Sequence, residues 1–253
     1  MKSKKTEISK ERTYQVVKRN DLIQRSRFDL SAQEQKIMLY IISKIKPGDD
    51  DFELYEFNIQ DFCEVCNIDE KSGRNYEMLK DVIDKMSDKK VWVMLDNGYE
   101  TFLRWIEKPY LSKRSGIIKI RLDKDMKPYL LQLKERYTSY SVGYILAMKS
   151  KYSIRLYELL KSYENLGECE FEIERLKTLL GAATYDVFAN FKAKVLDIAT
   201  REINDYSDIS ISYELEKQSR KFHRIKFVIT PKYLLGIDEC IKMYKNTSNR
   251  LEK

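Results

Sequence analysis

Histidine is almost missing from this chain, where His223 is the only one in 253 residues. That scarcity excludes the imidazole clusters that hold a catalytic zinc, or the metal beside a nucleophilic tyrosine. The 18 tyrosines are therefore read as amphipathic rings at cores and surfaces. Cysteine is sparse as well. Cys63, Cys66, Cys169 and Cys240 are the whole set and suit a reducing cytoplasm. Cys63 and Cys66 form a CxxC, but no second pair completes a metal site. With Ile59 and Phe62 they follow the i, i+3, i+4, i+7 spacing of a buried helix face. No run of about 18 apolar residues occurs, and the stretch MKSKKTEISKERTYQVVKR has no apolar segment behind its charges, so a cytoplasmic protein with no membrane partner is expected. Glycine (8) and proline (4) are scarce in a chain that is 34% charged and 12% aromatic, which describes a helix-rich globular protein and not a disordered one.

Two candidate chemical sites fail for similar reasons. Gly143 to Ser150 approaches a phosphate loop, but Met148 replaces its second glycine and no buried strand is expected ahead of it. The run Asp49-Asp50-Asp51 with Glu53 lacks the spacing of a calcium loop and reads as a solvated turn. A binding protein that is not an enzyme, with no cofactor and no metal, is what remains. The net charge of +7 favours a polyanionic partner.

What is present is organised around Phe171 to Ile229. An amphipathic helix over 173–180, a break at Gly181, a long helix over about 185–204 and two strands, 208–215 and 220–229, make a winged helix: helix, turn, second helix, β-hairpin. The long helix buries a stripe of Phe188, Phe191, Val195, Ile198 and Ala199. Its opposite face carries Asp186, Ala189, Asn190, Ala193, Lys194 and Asp197, with Lys192 at the border. Small residues, an amide and ammonium groups are what a groove-reading helix needs, and they are also what an ordinary solvated face carries. In the second strand Phe222, Ile225, Phe227 and Ile229 point to the core. Lys217, Arg220, Lys221, Arg224 and Lys226 collect around the hairpin tip with only Glu216 opposing them. Such an excess suits phosphate contact, and it also protects a sheet edge from aggregation.

The first half lists the same parts. Ser31-Ala-Gln-Glu34 is a capping box that starts a helix ending near Lys44. A strand over 52–57, a helix over 59–66 and a long helix over 72–86 follow. Asn97-Gly98 signals a type I′ hairpin between 91–95 and 99–106, and a further strand, 117–122, precedes a short helix over 126–133. Ile37-x-Leu39-Tyr40-x3-Lys44 recurs as Ile154-x-Leu156-Tyr157-x3-Lys161, shifted by 117. Phe57-x-Ile59-x2-Phe62-x2-Val65 recurs as Phe171-x-Ile173-x2-Leu176-x2-Leu179, shifted by 114, and the stripe Tyr76, Leu79, Ile83, Met86 recurs in the second long helix, shifted by 112. Three matches in one order imply an α+β chain of two tandem winged-helix domains related by internal duplication. Their bounds are a basic arm over 1–19, a first domain over 20–134 and a second over 135–253. In the first long helix Arg74, Asn75, Lys80 and Asp81 are expected to face solvent with Asp84 and Asp88, close to charge balance. The hairpin after it carries Trp92, Met94, Phe102 and Trp105, more apolar bulk than one buried face needs, so it either thickens the core or is covered by another subunit.

Asn20-x-Leu22-Ile23, Leu30-Ser31-x2-Glu34-x-Lys36-Ile37, Tyr152-Ser-Ile-Arg155-Leu-Tyr157-Glu-Leu-Leu160, Phe188-x2-Phe191-Lys-x-Lys194-Val-Leu196, Glu202-Ile-Asn204 and Ser219-Arg220-Lys221 before Ile225-x-Phe227 run through nearly the whole chain. As a set they resemble the replication initiator (Rep) proteins of iteron-containing, theta-replicating plasmids. Two departures stand out: Ser219 where the family commonly has glycine, and Lys192-Ala193-Lys194 where it often has a denser cationic run. The resemblance implies a C-terminal domain that reads directly repeated origin DNA and an N-terminal domain that adds backbone contacts or dimerises. It also implies monomers that open the origin and recruit host replication proteins (helicase or initiator), and dimers that repress the initiator's own promoter. The rival reading is a two-domain transcriptional repressor without a replication role. The expected DNA contacts are Asn190, Lys192, Lys194, Lys217, Arg220, Lys221 and Arg224, with Arg74 and Asn75 as accessory contacts.

Overall fold

The computed structural model describes residues 14–65 and 75–232. Arg74, Cys66, Cys240 and most of the expected basic arm lie outside them. The chain divides into two compact units, Met1–Leu146 and Ala147–Lys253.

Unit 1 opens with β1 (Gln15–Arg19), which pairs antiparallel with β8 (Tyr137–Ser141), Val16 opposite Tyr140. This corrects two boundaries. Residues 15–19 are a strand and not part of an arm, because Val16 and Lys18 alternate with more exposed neighbours and take buried places opposite Tyr140 and Thr138. Strand β8, assigned above to the second domain, supplies the backbone partners that β1 requires and so belongs to the first. After β1 come α1 (Asn20–Gln24) and β2 (Ser26–Arg27), then α2 (Ala32–Ile42). The capping box forms at its start: the Ser31 N–H donates to Glu34 Oε2 at 2.6 Å and the Glu34 N–H to Ser31 Oγ at 3.2 Å. Strand β3 (Tyr55–Asn58), α3 (Ile59–Val65) and α4 (Asn75–Ser87) follow. Tyr40, Phe57 and Phe62 close the core between them with ring centroids 5.0–5.9 Å apart.

The strands after α4 are β4 (Lys90–Met94), β5 (Glu100–Arg104), β6 (Ile106–Ser112) and β7 (Ile117–Leu122); α5 (Lys127–Leu130) precedes β8, and α6 (Val142–Ala147) lies at the division. Gly143 is inside α6, so no open loop is available there to wrap a phosphate. The β4–β5 turn differs from the type I′ expected from Asn97-Gly98. Gly98 alone has positive φ (+83°), its N–H donates to Leu95 O, and the Leu95 N–H donates to Tyr99 O, which is a three-residue loop ending in a left-handed glycine. Two three-stranded sheets result, β2-β4-β5 and β3-β7-β6. Trp105, counted above with the surplus of the hairpin, is 1% exposed and packs edge-on against Phe28 at 5.2 Å.

Unit 2 holds α7 (Lys151–Lys161), β9 (Glu168–Glu172), α8 (Ile173–Leu179), α9 (Phe188–Phe191), a π turn (Lys192–Leu196), α10 (Asp197–Tyr206), β10 (Ile209–Gln218) and β11 (Lys221–Pro231). Gly181, at φ +66°, turns the chain between α8 and α9. The Lys149 and Ser150 N–H groups ahead of α7 donate to Glu202 Oε2 at 3.2 and 3.1 Å, which ties that helix start to α10. The sheet order is β10-β11-β9, with β11 central. This repeats β6-β7-β3 of unit 1, with α2, α3 and α4 in the places of α7, α8 and α9–α10. The unit 1 counterpart of the wing is therefore β6–β7, and β4–β5 is an insertion between long helix and wing.

Candidate nucleic-acid interface

The helix from Phe188 to Tyr206 is fixed to unit 2 by Phe191, Val195, Leu196, Ala199 and Ile203, all fully buried. The expected stripe is altered where the π turn adds a residue to the coil. Leu196 takes a core place beside Val195, while Phe188 and Ile198 are only half-buried. The face offered for groove reading is otherwise as expected, and Asp186, Ala189, Asn190, Ala193, Lys194 and Asp197 are all exposed. Among the described residues, no side chain holds Asn190 or Lys194 by a hydrogen bond or ion pair.

Lys192 is placed differently. Its Nζ donates to both carboxylate oxygens of Asp197, at 2.8 and 2.9 Å, and the Tyr213 hydroxyl of β10 donates to Asp197 Oδ1 at 2.7 Å. In a regular α-helix residues five apart point about 140° away from each other. The π turn brings this pair to one side. The Asp197 carboxyl is held below the usual carboxylate range by the ammonium of Lys192, and Lys192 is raised by the same bond and by Tyr213. Tyr213 is raised first by burial and then by Asp197. Lys192 thus couples the long helix to the wing strand more than it offers charge outward.

The wing is fastened to the same helix by Phe222, whose ring lies 4.6 Å from that of Phe188. At its tip Gln218 pairs with Lys221 across Ser219 and Arg220, and Ser219 takes φ +59°. A serine therefore occupies the left-handed position that glycine fills without strain. Lys217, Arg220 and Lys221 are exposed, and Lys217 leans over the Phe222 ring at 4.9 Å. Arg224 and Lys226, lower on the strand, are taken by β9: Arg224 bonds Glu170 at 2.6 Å and Lys226 bonds Glu168 at 2.8 Å, both across diagonal positions of the ladder. The tip cations stay open to an anion, whereas Arg224 already has its counter-charge. Cys169, between those glutamates, has its thiol pushed up to about 12 by burial and then by Glu168, so it stays protonated.

Unit 1 offers less charge in the matching places. Asn75 begins α4 and is half-buried, and Arg74 falls outside the described residues. The exposed side of α4 and its end carry Glu77, Asp81, Asp84 and Asp88 against Lys80 and Lys85. At the tip of β6–β7, Lys113 donates to Glu77 at 2.8 Å and Arg114 is exposed. Sequence reading missed this tip, although Lys113-Arg114-Ser115-Gly116 between two apolar strands was its signal, with Gly116 at φ +65° closing the turn. On the inserted hairpin Trp92, Met94 and Phe102 are 37–43% exposed on one side of the β2-β4-β5 sheet. Trp92 and Phe102 face each other across the strands at 5.6 Å, with Arg27 over the first ring and Lys90 over the second.

Among the described residues no group of three His, Cys, Asp or Glu side chains is placed to hold a metal ion, and no helix is long and apolar enough to cross a membrane. Asp51 of the acidic run bonds Lys127, which with the Phe52 N–H keeps its carboxyl low.

Comparison with known proteins adds family matches over both units. Residues 15–161 match the family described as "Initiator Replication protein, WH1" and residues 172–229 that described as "Initiator Rep protein, WH2". A "Replication initiation protein" of Escherichia coli is 24% identical over 198 residues, 74% of this chain and 61% of its own length. A "PI protein" of Escherichia coli is 29% identical over 144 residues, 49% of this chain and 46% of its own. The chain thus spans about half the length of the curated relatives it matches.

Proposed function

The chain belongs to the family of plasmid replication initiator (Rep) proteins, and on that premise we propose that it binds double-stranded origin DNA by sequence, mainly through unit 2. The long helix enters the major groove with Asn190 and Lys194 toward base edges or nearby phosphates, and Lys217, Arg220 and Lys221 rest on the backbone alongside. The observation that carries this reading is the selective neutralisation of cations. Among the described residues, Lys217, Arg220 and Lys221 at the wing tip and Lys194 on the helix lack acidic partners, whereas Lys192, Arg224 and Lys226 have them. Unit 1 adds backbone contacts through Asn75 and Arg74 and joins two copies in a homodimer in equilibrium with monomer, its exposed Trp92–Phe102 sheet face being the surface covered. The sites read are direct repeats. The monomer bound to them opens the origin and recruits a host helicase or initiator, and the dimer represses the initiator's own promoter.

Footprinting of the full chain on the DNA flanking its gene tests this. Protection of several directly repeated segments of about one to two helical turns is expected. Protection of a single inverted repeat, with no repeated array, would replace the initiator reading by that of a transcriptional repressor.

A further inference from the structure

The side chain immediately ahead of the long helix was not among those offered for DNA contact, and it breaks two local rules at once. Val187 occupies the N-cap position, with φ −84° and ψ 118°, and supplies no side-chain cap. Serine, threonine, aspartate or asparagine would there accept a bond from a free N–H and steady the helix. Nor does Val187 serve the core, since it is 59% exposed. A β-branched apolar side chain that neither caps nor packs is held rigidly in water. The next residue, Phe188, lies against Phe222 of the wing, Phe191 is fully buried, and the Asn190 and Phe191 N–H groups donate to Val187 O at 3.0 and 3.2 Å.

Asn190 stands one turn further along and is also exposed. Helices of this type meet base edges with their N-terminal residues, where the thymine 5-methyl group is the apolar feature of the major groove and an asparagine amide matches adenine. We propose that Val187 is a specificity-determining residue that packs on the 5-methyl group of a thymine, beside the base read by Asn190. The inference rests on the long helix being the groove-reading element.

The test uses the full chain and a duplex carrying one protected repeat of its own origin, with each thymine replaced in turn by uracil, which removes the methyl group and keeps the pairing. Replacement at one or two positions should weaken binding by the wild-type chain roughly fourfold, the change expected when one buried methyl is lost. Val187→Ala should bind the unmodified repeat weaker by a similar factor and be indifferent to uracil at those positions. Lys194→Ala, measured in parallel, separates the two levels of the argument. If Lys194→Ala binds as wild type does, the orientation of the helix is wrong. If Lys194→Ala weakens binding while no uracil matters, or while Val187→Ala keeps the wild-type sensitivity to uracil, the role given to Val187 is overturned and the helix reading stands.

Discussion

The two units use the same parts and spend their surfaces differently. Tyr40 and Tyr157 stand at equivalent places on α2 and α7, both fully buried. The lysines four residues on diverge: Lys44 lies over the rings of Tyr14 and Tyr40 at 4.9 and 4.7 Å, whereas Lys161 bonds Asp208 at 2.7 Å and Glu164 at 2.6 Å. Around the matching long helices the contrast is larger. In unit 1 the exposed side of α4 carries Glu77, Asp81 and Asp84, and Glu77 holds the wing-tip Lys113; in unit 2 the matching side carries Asn190 and Lys194 beside Asp186 and Asp197, and Arg220 and Lys221 at the wing tip have no acidic partner among the described residues. Unit 1 instead has an inserted hairpin with an aromatic outer face. Matching cores constrain the buried stripe, while exposed positions are free to differ, and here the two copies differ in exposed charge and in exposed aromatic surface.

That contrast can be broken or sharpened by experiment. The largest effect is expected at the hairpin: Trp92→Asp should weaken self-association by about 2–4 kcal/mol, as loss of an interface anchor does, and leave folding intact because the side chain is partly exposed. Sedimentation equilibrium would show a shift toward monomer, and an unchanged dimer fraction would remove the hairpin from the interface.

Next in size, Asn190→Ala or Lys194→Ala should each cost roughly 1–3 kcal/mol in binding the origin repeat, while Asn75→Ala costs under about 0.5. Equal losses in a competition titration would mean that both units read bases. Lys221→Ala should make the slope of log affinity against log salt shallower by about one, and Lys113→Ala by less, because Glu77 already pairs with Lys113. Equal changes would show that Glu77 releases Lys113 on binding.

Smaller effects come from the Lys192–Asp197–Tyr213 cluster, which unit 1 lacks among its described residues. Tyr213→Phe should cost up to about 1 kcal/mol of stability, the site being partly open to solvent. Asp197 is lowered, so its contribution is present above the ordinary carboxylate pKa and is lost as pH falls through the depressed value. Lys192 is raised, so its contribution is present below the ordinary lysine pKa and is lost as pH rises through the elevated one. Thermal melts across pH should therefore show an acid-side loss that Asp197→Asn makes smaller without removing, because Asp51, Glu77, Asp96 and Glu100 are also held low by ion pairs. The smallest change is Ser219→Gly, which relieves the left-handed φ at the wing tip and should raise stability by a few tenths to about 1 kcal/mol, read as a higher melting midpoint.

Local chemistry made much of this molecule legible in the sequence. The capping box at Ser31, the helix periods and the repeated Ile-x-Leu-Tyr pattern act over a few residues, so spacing alone placed α2, α3, α7, α8 and the long helices, and their order gave two winged helices. Three features needed the folded chain. Strand β1 depends on a partner more than a hundred residues away, the insertion of β4–β5 is visible only when β7 is found beside β3, and the π turn redirects the buried stripe at Leu196. The candidate site divides in the same way. Exposure of Asn190 and Lys194 follows from helix period, but whether a cation is free depends on which carboxylate the fold carries next to it. Glu170 reaches Arg224 through strand register, Asp197 reaches Lys192 through a widened turn, and Glu77 reaches Lys113 from another element. Sequence counts charges, and electrostatics at a few ångströms is decided by tertiary placement.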